Sequence, residues 1–281
     1  MNSKEGIVVG CNRSLPPHRL LLTPHSLVAG WFACYNRRMS FLRIAHRGAS
    51  GTRPEHTRVA FERAIEVGVD MIEIDVQLTR DRQLVVLHDL ELGRTVEGKG
   101  RVREYDLADL RARDAGSWFD PTCRDQKVLS LAEVLEITAA SVPLNVEIKS
   151  PPPDWETTVR QLLELLGRFD QLEATIVSSF AMGALRCLRS AAPQMRIGAL
   201  WQQPDLEPLW AHARELGAAT VHLSWPLAVD SVIEQARRRG LTVLTWTVND
   251  LDDMCRLARA GVGGIISDFP ERFAAIAAAG R

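Results

Sequence analysis

Apolar and polar positions between residues 41 and 267 repeat one unit: a short apolar run, a polar loop, then a stretch with helical spacing. The runs 41–45, 70–76, 144–148, 174–178, 196–199, 219–222, 241–246 and 264–267 read as strands. Between them, 58–67, 155–167, 182–191, 206–216, 231–239 and 251–260 read as amphipathic helices. Several close on a glycine, as helix C-termini commonly do: Gly68, Gly167, Gly217, Gly240 and Gly261. Strands alternating with helices imply parallel pairing through right-handed crossovers. Eight such strands in a chain of 281 residues fit an α/β fold of the (β/α)8, or TIM, barrel type better than an open doubly wound sheet. The excess over the minimal unit is a small insertion after the second strand, about 77–129. It carries its own strand at 84–87, turns at Gly93, Gly98 and Gly100, and a short helix near 107–110, and it is expected to shape or cover the active face.

Within 71–76 apolar and acidic residues alternate with period two, so Glu73 and Asp75 point to the same side. Two carboxylates about 6–7 Å apart along one strand face, at a rise of roughly 3.3 Å per residue, repel unless a cation lies between them. The plain alternative is an edge strand with one solvated face. What tips the balance is how many other polar groups close apolar strands. The first strand runs into His46-Arg47-Gly48, and His88-Asp89 ends the strand of the insertion. Glu147 and Lys149 repeat the i, i+2 pattern on the third strand, and Ser178-Ser179-Phe180, Trp246-Thr247-Val248-Asn249 and Ser267-Asp268 end later ones. Singly, each has a dull reading, Asp268 for instance as an N-cap of the last helix. In a barrel all of them converge on one mouth.

The chemistry follows from the residue types. Glu73, Asp75 and Glu147 are three hard oxygen donors suited to a divalent metal ion, Mg²⁺ or Ca²⁺. Arg47 and Lys149 are cationic donors for a phosphate, and His46 and His88 can exchange protons near neutral pH. That combination describes displacement at phosphorus.

Composition narrows the partners. The chain is 46% hydrophobic and 25% charged with a formal net charge of −1, ordinary for a globular protein and unsuited to binding nucleic acid through a broad basic surface. Its five cysteines are scattered without a CxxC pair, which makes the reducing cytoplasm the expected compartment. No apolar run reaches the ~18 residues of a transmembrane segment. Residues 1–40 read as a poorly packed N-terminal extension, because Thr23-Pro24-His25-Ser26 breaks the apolar run that a signal peptide needs. Met39 is a second candidate start, and the barrel domain is expected over 41–281.

These residues resemble the glycerophosphodiester phosphodiesterase family over nearly all of 41–275. The resemblance runs through His46-Arg47-Gly48, Pro54-Glu55-His56-Thr57, Glu73-Ile74-Asp75-Val76, His88-Asp89, the Arg94 to Gly100 turn, Leu129 to Leu135 and Glu147-Ile148-Lys149. It continues through Trp246 to Asn249 and Gly261 to Pro270. It implies a barrel with an insertion after the second strand, a divalent metal on Glu73, Asp75 and Glu147, and an acid–base pair in His46 and His88. Arg47 and Lys149 would hold the phosphate with Trp246 in the substrate site, and Glu55 would be a metal ligand or a partner beside it. The implied reaction splits a small-molecule glycerophosphodiester into sn-glycerol 3-phosphate and an alcohol. Two positions depart from the family pattern: His56 stands where asparagine is usual, and Gly263 where aspartate is usual. Both are expected to retune the protein and leave the chemistry intact. A lysophospholipase D is the near alternative, with Trp118-Phe119, Phe180, Trp201 and Trp225 as a candidate apolar surface. A barrel that binds phosphodiesters without cleaving them is the distant one.

Overall fold

In the computed structural model, which describes residues 41–279, ten strands lie in one sheet. They are β1 (Leu42–His46), β2 (Met71–Leu78), β3 (Leu84–Val86), β4 (Leu129–Ser130), β5 (Leu144–Ile148), β6 (Ile176–Ser179), β7 (Arg196–Trp201), β8 (Thr220–Ser224), β9 (Thr242–Trp246) and β10 (Gly264–Ser267). Among themselves β1, β2 and β5 to β10 pair in parallel, and β1 contacts both β2 and β10, so these eight close into a barrel. Helices on the outside join successive strands, as the alternating pattern predicts. No helix among the described residues is long and apolar enough to cross a membrane. The expectation for residues 1–40 lies outside the described residues.

β2 shows how the sequence positions the site. All eight of its residues are buried. Ile72, Ile74 and Val76 join the layer between sheet and helices. Met71 instead packs with Leu42, Ile44, Ile176, Leu244 and Ile266, drawn from strands around the ring, so it faces the barrel interior. Glu73 and Asp75 share its side by alternation. Their face is therefore the inside of the barrel, and the edge-strand reading is excluded. β5 repeats the arrangement, with Leu144, Val146 and Ile148 outside and Asn145 and Glu147 inside.

The insertion begins as a hairpin. β3 pairs antiparallel with the far end of β2, and β4 with β3. A separate cluster of Val85, Leu87, Leu92, Val96, Val102, Leu110, Ala115 and Val128, all within the insertion, gives it a small core of its own. The helix Leu131–Thr138 then returns the chain to β5 and supplies the crossover that the periodicity reading did not assign. Its start is fixed by a reciprocal cap: Ser130 Oγ accepts from the Glu133 N–H, and the Glu133 carboxylate accepts from the Ser130 N–H at 2.9 Å. The last helix, for which the sequence reading gave no range, is Phe273–Ala279.

Gly68, Gly217 and Gly261 end their helices in the left-handed conformation as expected. Gly167 does not: its helix runs on through Arg168, and the left-handed residue is Asp170, at φ 56°. Gly263 precedes β10, at the end of the barrel opposite the mouth, and a Cβ there would lie 2.0 Å from the Thr242 methyl. The departure at this position is thus remote from the strand ends that carry the polar groups.

Inside the barrel, Gly198 accommodates the buried His222 ring. An added Cβ would lie 2.3 Å from His222 Nε2, which pairs with Thr220 Oγ1 at 2.8 Å and has no free space to yield. Gly198→Ala is expected to lower stability by about 1–3 kcal/mol through overpacking. Urea unfolding of wild type and variant measures this, and equal midpoints would contradict the packing described.

Candidate active site

The mouth is assembled from strand ends and one turn. After His46 the chain reverses through two left-handed residues, Arg47 at φ 57° and Gly48 at φ 84°. Gly48 lies so close to the helix Arg58–Val67 that a Cβ would stand 2.8 Å from the Ala60 backbone. The turn aims the Arg47 N–H at Glu73, whose Oε2 accepts it at 3.2 Å. His46, Arg47, Glu73, His88, Glu147, Lys149, Phe180 and Trp246 all line one cavity of about 210 Å³. Every sequence-predicted site residue except Asp75 and Glu55 is therefore on its wall, and those two lie directly behind it.

Glu73, Asp75 and Glu147 each offer a carboxylate oxygen within 4.8 Å of the others, all three buried. Burial and the neighbouring Asp75 charge push Glu73 and Glu147 well above the ordinary carboxylate range. Burial would raise Asp75 as well, but Lys149 and Arg47 outweigh it and hold this acid low. Lys149 Nζ lies 2.7 Å from Glu147 and 3.3 Å from Asp75, and Arg47 Nε is 3.2 Å from Asp75. Both Asp75 oxygens are nonetheless buried without a hydrogen bond. Orphaned acceptors among three hard acids are what a divalent cation with oxygen ligands would satisfy. The residues present fit such an ion.

Both cavity histidines are held through Nδ1. His46 Nδ1 donates to Asp268 at 2.6 Å, and His88 Nδ1 donates to Asp89 at 2.7 Å. Each Nε2 is thereby left for chemistry in the cavity, that of His46 lying 3.9 Å from Glu73. Burial lowers His88 below its ordinary value, with the nearby Arg47 and Lys149 adding to the effect. Trp246 donates its indole N–H to the His222 carbonyl at 3.1 Å and meets Phe180 edge to face, with centroids 5.5 Å apart. Of the apolar residues that would favour a lysophospholipid, only Phe180 reaches the cavity wall.

Glu55 stands apart from the carboxylate cluster. Its oxygens accept from Arg47 at 2.9 Å and from both Arg94 terminal nitrogens at 2.8 and 2.9 Å, and these cations overcome burial to hold it down to about 2. Of the two positions expected for it, the geometry supports the partner beside the cluster. His56 adopts φ 59°, a conformation that asparagine and histidine tolerate better than most residues. Its Nε2 accepts the Asp75 N–H at 3.2 Å, and burial drives its pKa down to about 3. The ring therefore acts as a neutral acceptor behind the acids, which is how a histidine can occupy this position.

Sequence reasoning brings Asp89, Asn249 and Asp268 to the mouth without a role for any of them, and gives Arg94 none beyond a turn. Taken singly, Asp268 has the plain reading of a cap for the last helix. Instead it accepts from His46, from Ser50 at 2.9 Å and from the Asn249 amide at 2.6 Å. The one available signal was position, since all four lie at strand ends or in the insertion next to residues already singled out.

The description of the glycerophosphoryl diester phosphodiesterase family matches residues 46–272. A glycerophosphodiester phosphodiesterase of Caldanaerobacter subterraneus is 37% identical over 234 residues, 83% of this chain and 96% of that one. One from Bacillus subtilis is 32% identical over 83% of this chain and 85% of its own length. The solved structure of an Oleispira antarctica phosphodiesterase in complex with the product sn-glycerol-3-phosphate superposes with a TM-score of 0.79 at 28% identity, covering 83% of this chain and 95% of that one.

A cation-binding cluster has a thermal signature. Saturating Mg²⁺ or Ca²⁺ is expected to raise the melting temperature by about 5 °C or more, from the linkage of binding to folding. Asp75→Asn should abolish the shift. A shift of the same size in that variant would place the cation elsewhere.

Proposed function

This chain belongs to the glycerophosphodiester phosphodiesterase family and is an enzyme of that class; from that premise we propose that it hydrolyses glycerophosphodiesters to sn-glycerol 3-phosphate and an alcohol by metal-assisted histidine acid–base chemistry. The observation that carries the reading is that two cations and two aspartate-held imidazoles meet at one small cavity beside three clustered carboxylates.

In this mechanism Arg47 and Lys149 receive the anionic phosphate oxygens, Arg47 with donors arranged as a fork that suits them. One imidazole Nε2 takes the proton of the attacking hydroxyl as the new P–O bond forms. The other donates a proton to the alcohol oxygen as the old P–O bond breaks. When the glycerol hydroxyl of the substrate is the nucleophile, the first product is a cyclic phosphate. Water then opens it with the two imidazoles in exchanged roles. Glu73, Asp75 and Glu147 would hold the divalent ion, Mg²⁺ or Ca²⁺, which when bound supplies positive charge against that developing on the phosphate oxygens. The product held by the Oleispira antarctica neighbour supports the same product here.

Size favours the deacylated substrate over a lysophospholipid. A cavity of about 210 Å³ falls below the ~300 Å³ at which pockets begin to enclose drug-sized ligands, so it suits a glycerophosphate and does not enclose an acyl chain. Among the described residues Cys123, Cys187 and Cys255 form no disulfide, which suits the reducing cytoplasm as the place of action.

Glycerophosphocholine with Mg²⁺ or Ca²⁺ is expected to release sn-glycerol 3-phosphate, with chelator stopping the reaction. His46→Ala should reduce turnover by about 10²–10⁴-fold, the range of general acid–base catalysis, yet keep the metal-induced rise in melting temperature. Faster turnover of lysophosphatidylcholine, or tight ligand binding with no product, would contradict the reading.

A further inference from the structure

His46 and His88 are each held by an aspartate, but the two aspartates are held differently. Asp268 is fixed by neutral donors in the segments that follow β9 and β1, Asn249 and Ser50. Asp89 follows the short strand β3 in the insertion, and among the described residues its carboxylate is held on the far side by one group, the Arg94 guanidinium. Arg94 Nε donates to Asp89 Oδ2 at 2.6 Å and Nη2 to Oδ1 at 3.1 Å. The same guanidinium donates through Nη1 and Nη2 to both oxygens of Glu55. Its backbone is pinned in a tight turn, where the Leu92 N–H meets the Gly100 carbonyl and the Gly93 N–H meets the Val96 carbonyl, each at 2.9 Å.

We propose that Arg94 is a positioning residue for His88: its two-sided fork fixes Asp89, and through Asp89 it fixes the tautomer and aim of the His88 ring. The proposal rests on His88 being one of the two proton-exchanging groups. Arg94 is the right residue type for this. A planar guanidinium engages two carboxylates at once with a set angle between them, which a lysine cannot do. The consequence is that the insertion does more than wall the mouth. An unbroken series of ion pairs, Arg47–Glu55–Arg94–Asp89–His88, ties the turn after β1 to the acid–base group of the insertion. Asp89 is partly solvent-exposed, so without the fork its carboxylate is free to rotate into water and release the His88 Nδ1–H.

The direct test is the ¹⁵N spectrum of histidine-labelled protein, with His88 assigned by its substitution. In wild type, His88 is expected to show protonated Nδ1 hydrogen-bonded to carboxylate. In Arg94→Met that signature should disappear or average between tautomers while the His46 signature stays. An unchanged His88 signature in Arg94→Met overturns the proposal whether or not the protein turns over substrate, so this arm is independent of the assigned reaction. The kinetic arm uses glycerophosphocholine. Arg94→Met should lower kcat by about 10-fold or more, as outer-shell substitutions typically do, with KM and the metal-induced thermal shift unchanged. Arg94→Lys should recover only part of the loss. If Arg94 acts through Asp89, the double variant with Asp89→Asn should fall within about twofold of Asp89→Asn alone. Losses that multiply, or a loss confined to KM, would assign Arg94 to Glu55 and Arg47 instead.

Discussion

Three buried carboxylates within 4.8 Å of one another cannot all carry charge unless positive charge stands among them. The geometry around Glu73, Asp75 and Glu147 answers that constraint. Arg47 and Lys149 reach in from the turn after β1 and from the end of β5, and their charges keep Asp75 ionised while its two neighbours are pushed up. Two cations for three acids leave the cluster short of positive charge, and both buried Asp75 oxygens have ion-pair neighbours but no hydrogen bond. That deficit is the physical basis for a divalent ion. The same cations, at the cavity wall, are what a phosphodiester would meet on entry.

The barrel makes such crowding tolerable. Side chains that would repel are held on strands whose opposite faces are fully committed to packing: Ile72, Ile74 and Val76 on β2, and Leu144, Val146 and Ile148 on β5. Neither strand can slip its register by one residue without turning the acids into that apolar layer. Rigid strands therefore position the charged cluster, and turns and the insertion bring the two imidazoles to it. His46 draws its aspartate from a neighbouring strand end, and His88 carries its own within the insertion. The two are thus presented from structurally unlike supports to one cavity.

Much of this was legible in the chain, because period-two alternation with acids on one face is a local signal. The barrel strands fall within a few residues of the apolar runs, and the polar groups that end them do share one mouth. What was not legible is long-range. Asp268 lies 222 positions from His46, and a Ser-Asp-Phe-Pro run reads locally as a helix cap. Arg94 appears in a Gly-rich turn with nothing nearby to say that it clamps Glu55 across 39 positions. The helix Leu131–Thr138 is a different kind of miss, since Ser130 and Glu133 form the reciprocal cap in plain view. Gly167 misled because a glycine near a helix end need not be its terminus; Asp170 takes the left-handed place.

The central claim is that one divalent ion is shared by Glu73, Asp75 and Glu147. Anomalous X-ray diffraction from crystals grown with Mn²⁺ in place of Mg²⁺ tests it most directly. A single strong anomalous peak within bonding distance of oxygens from all three residues is the predicted result. A well-ordered cavity with no peak among those oxygens, or with the metal bound elsewhere, would contradict it.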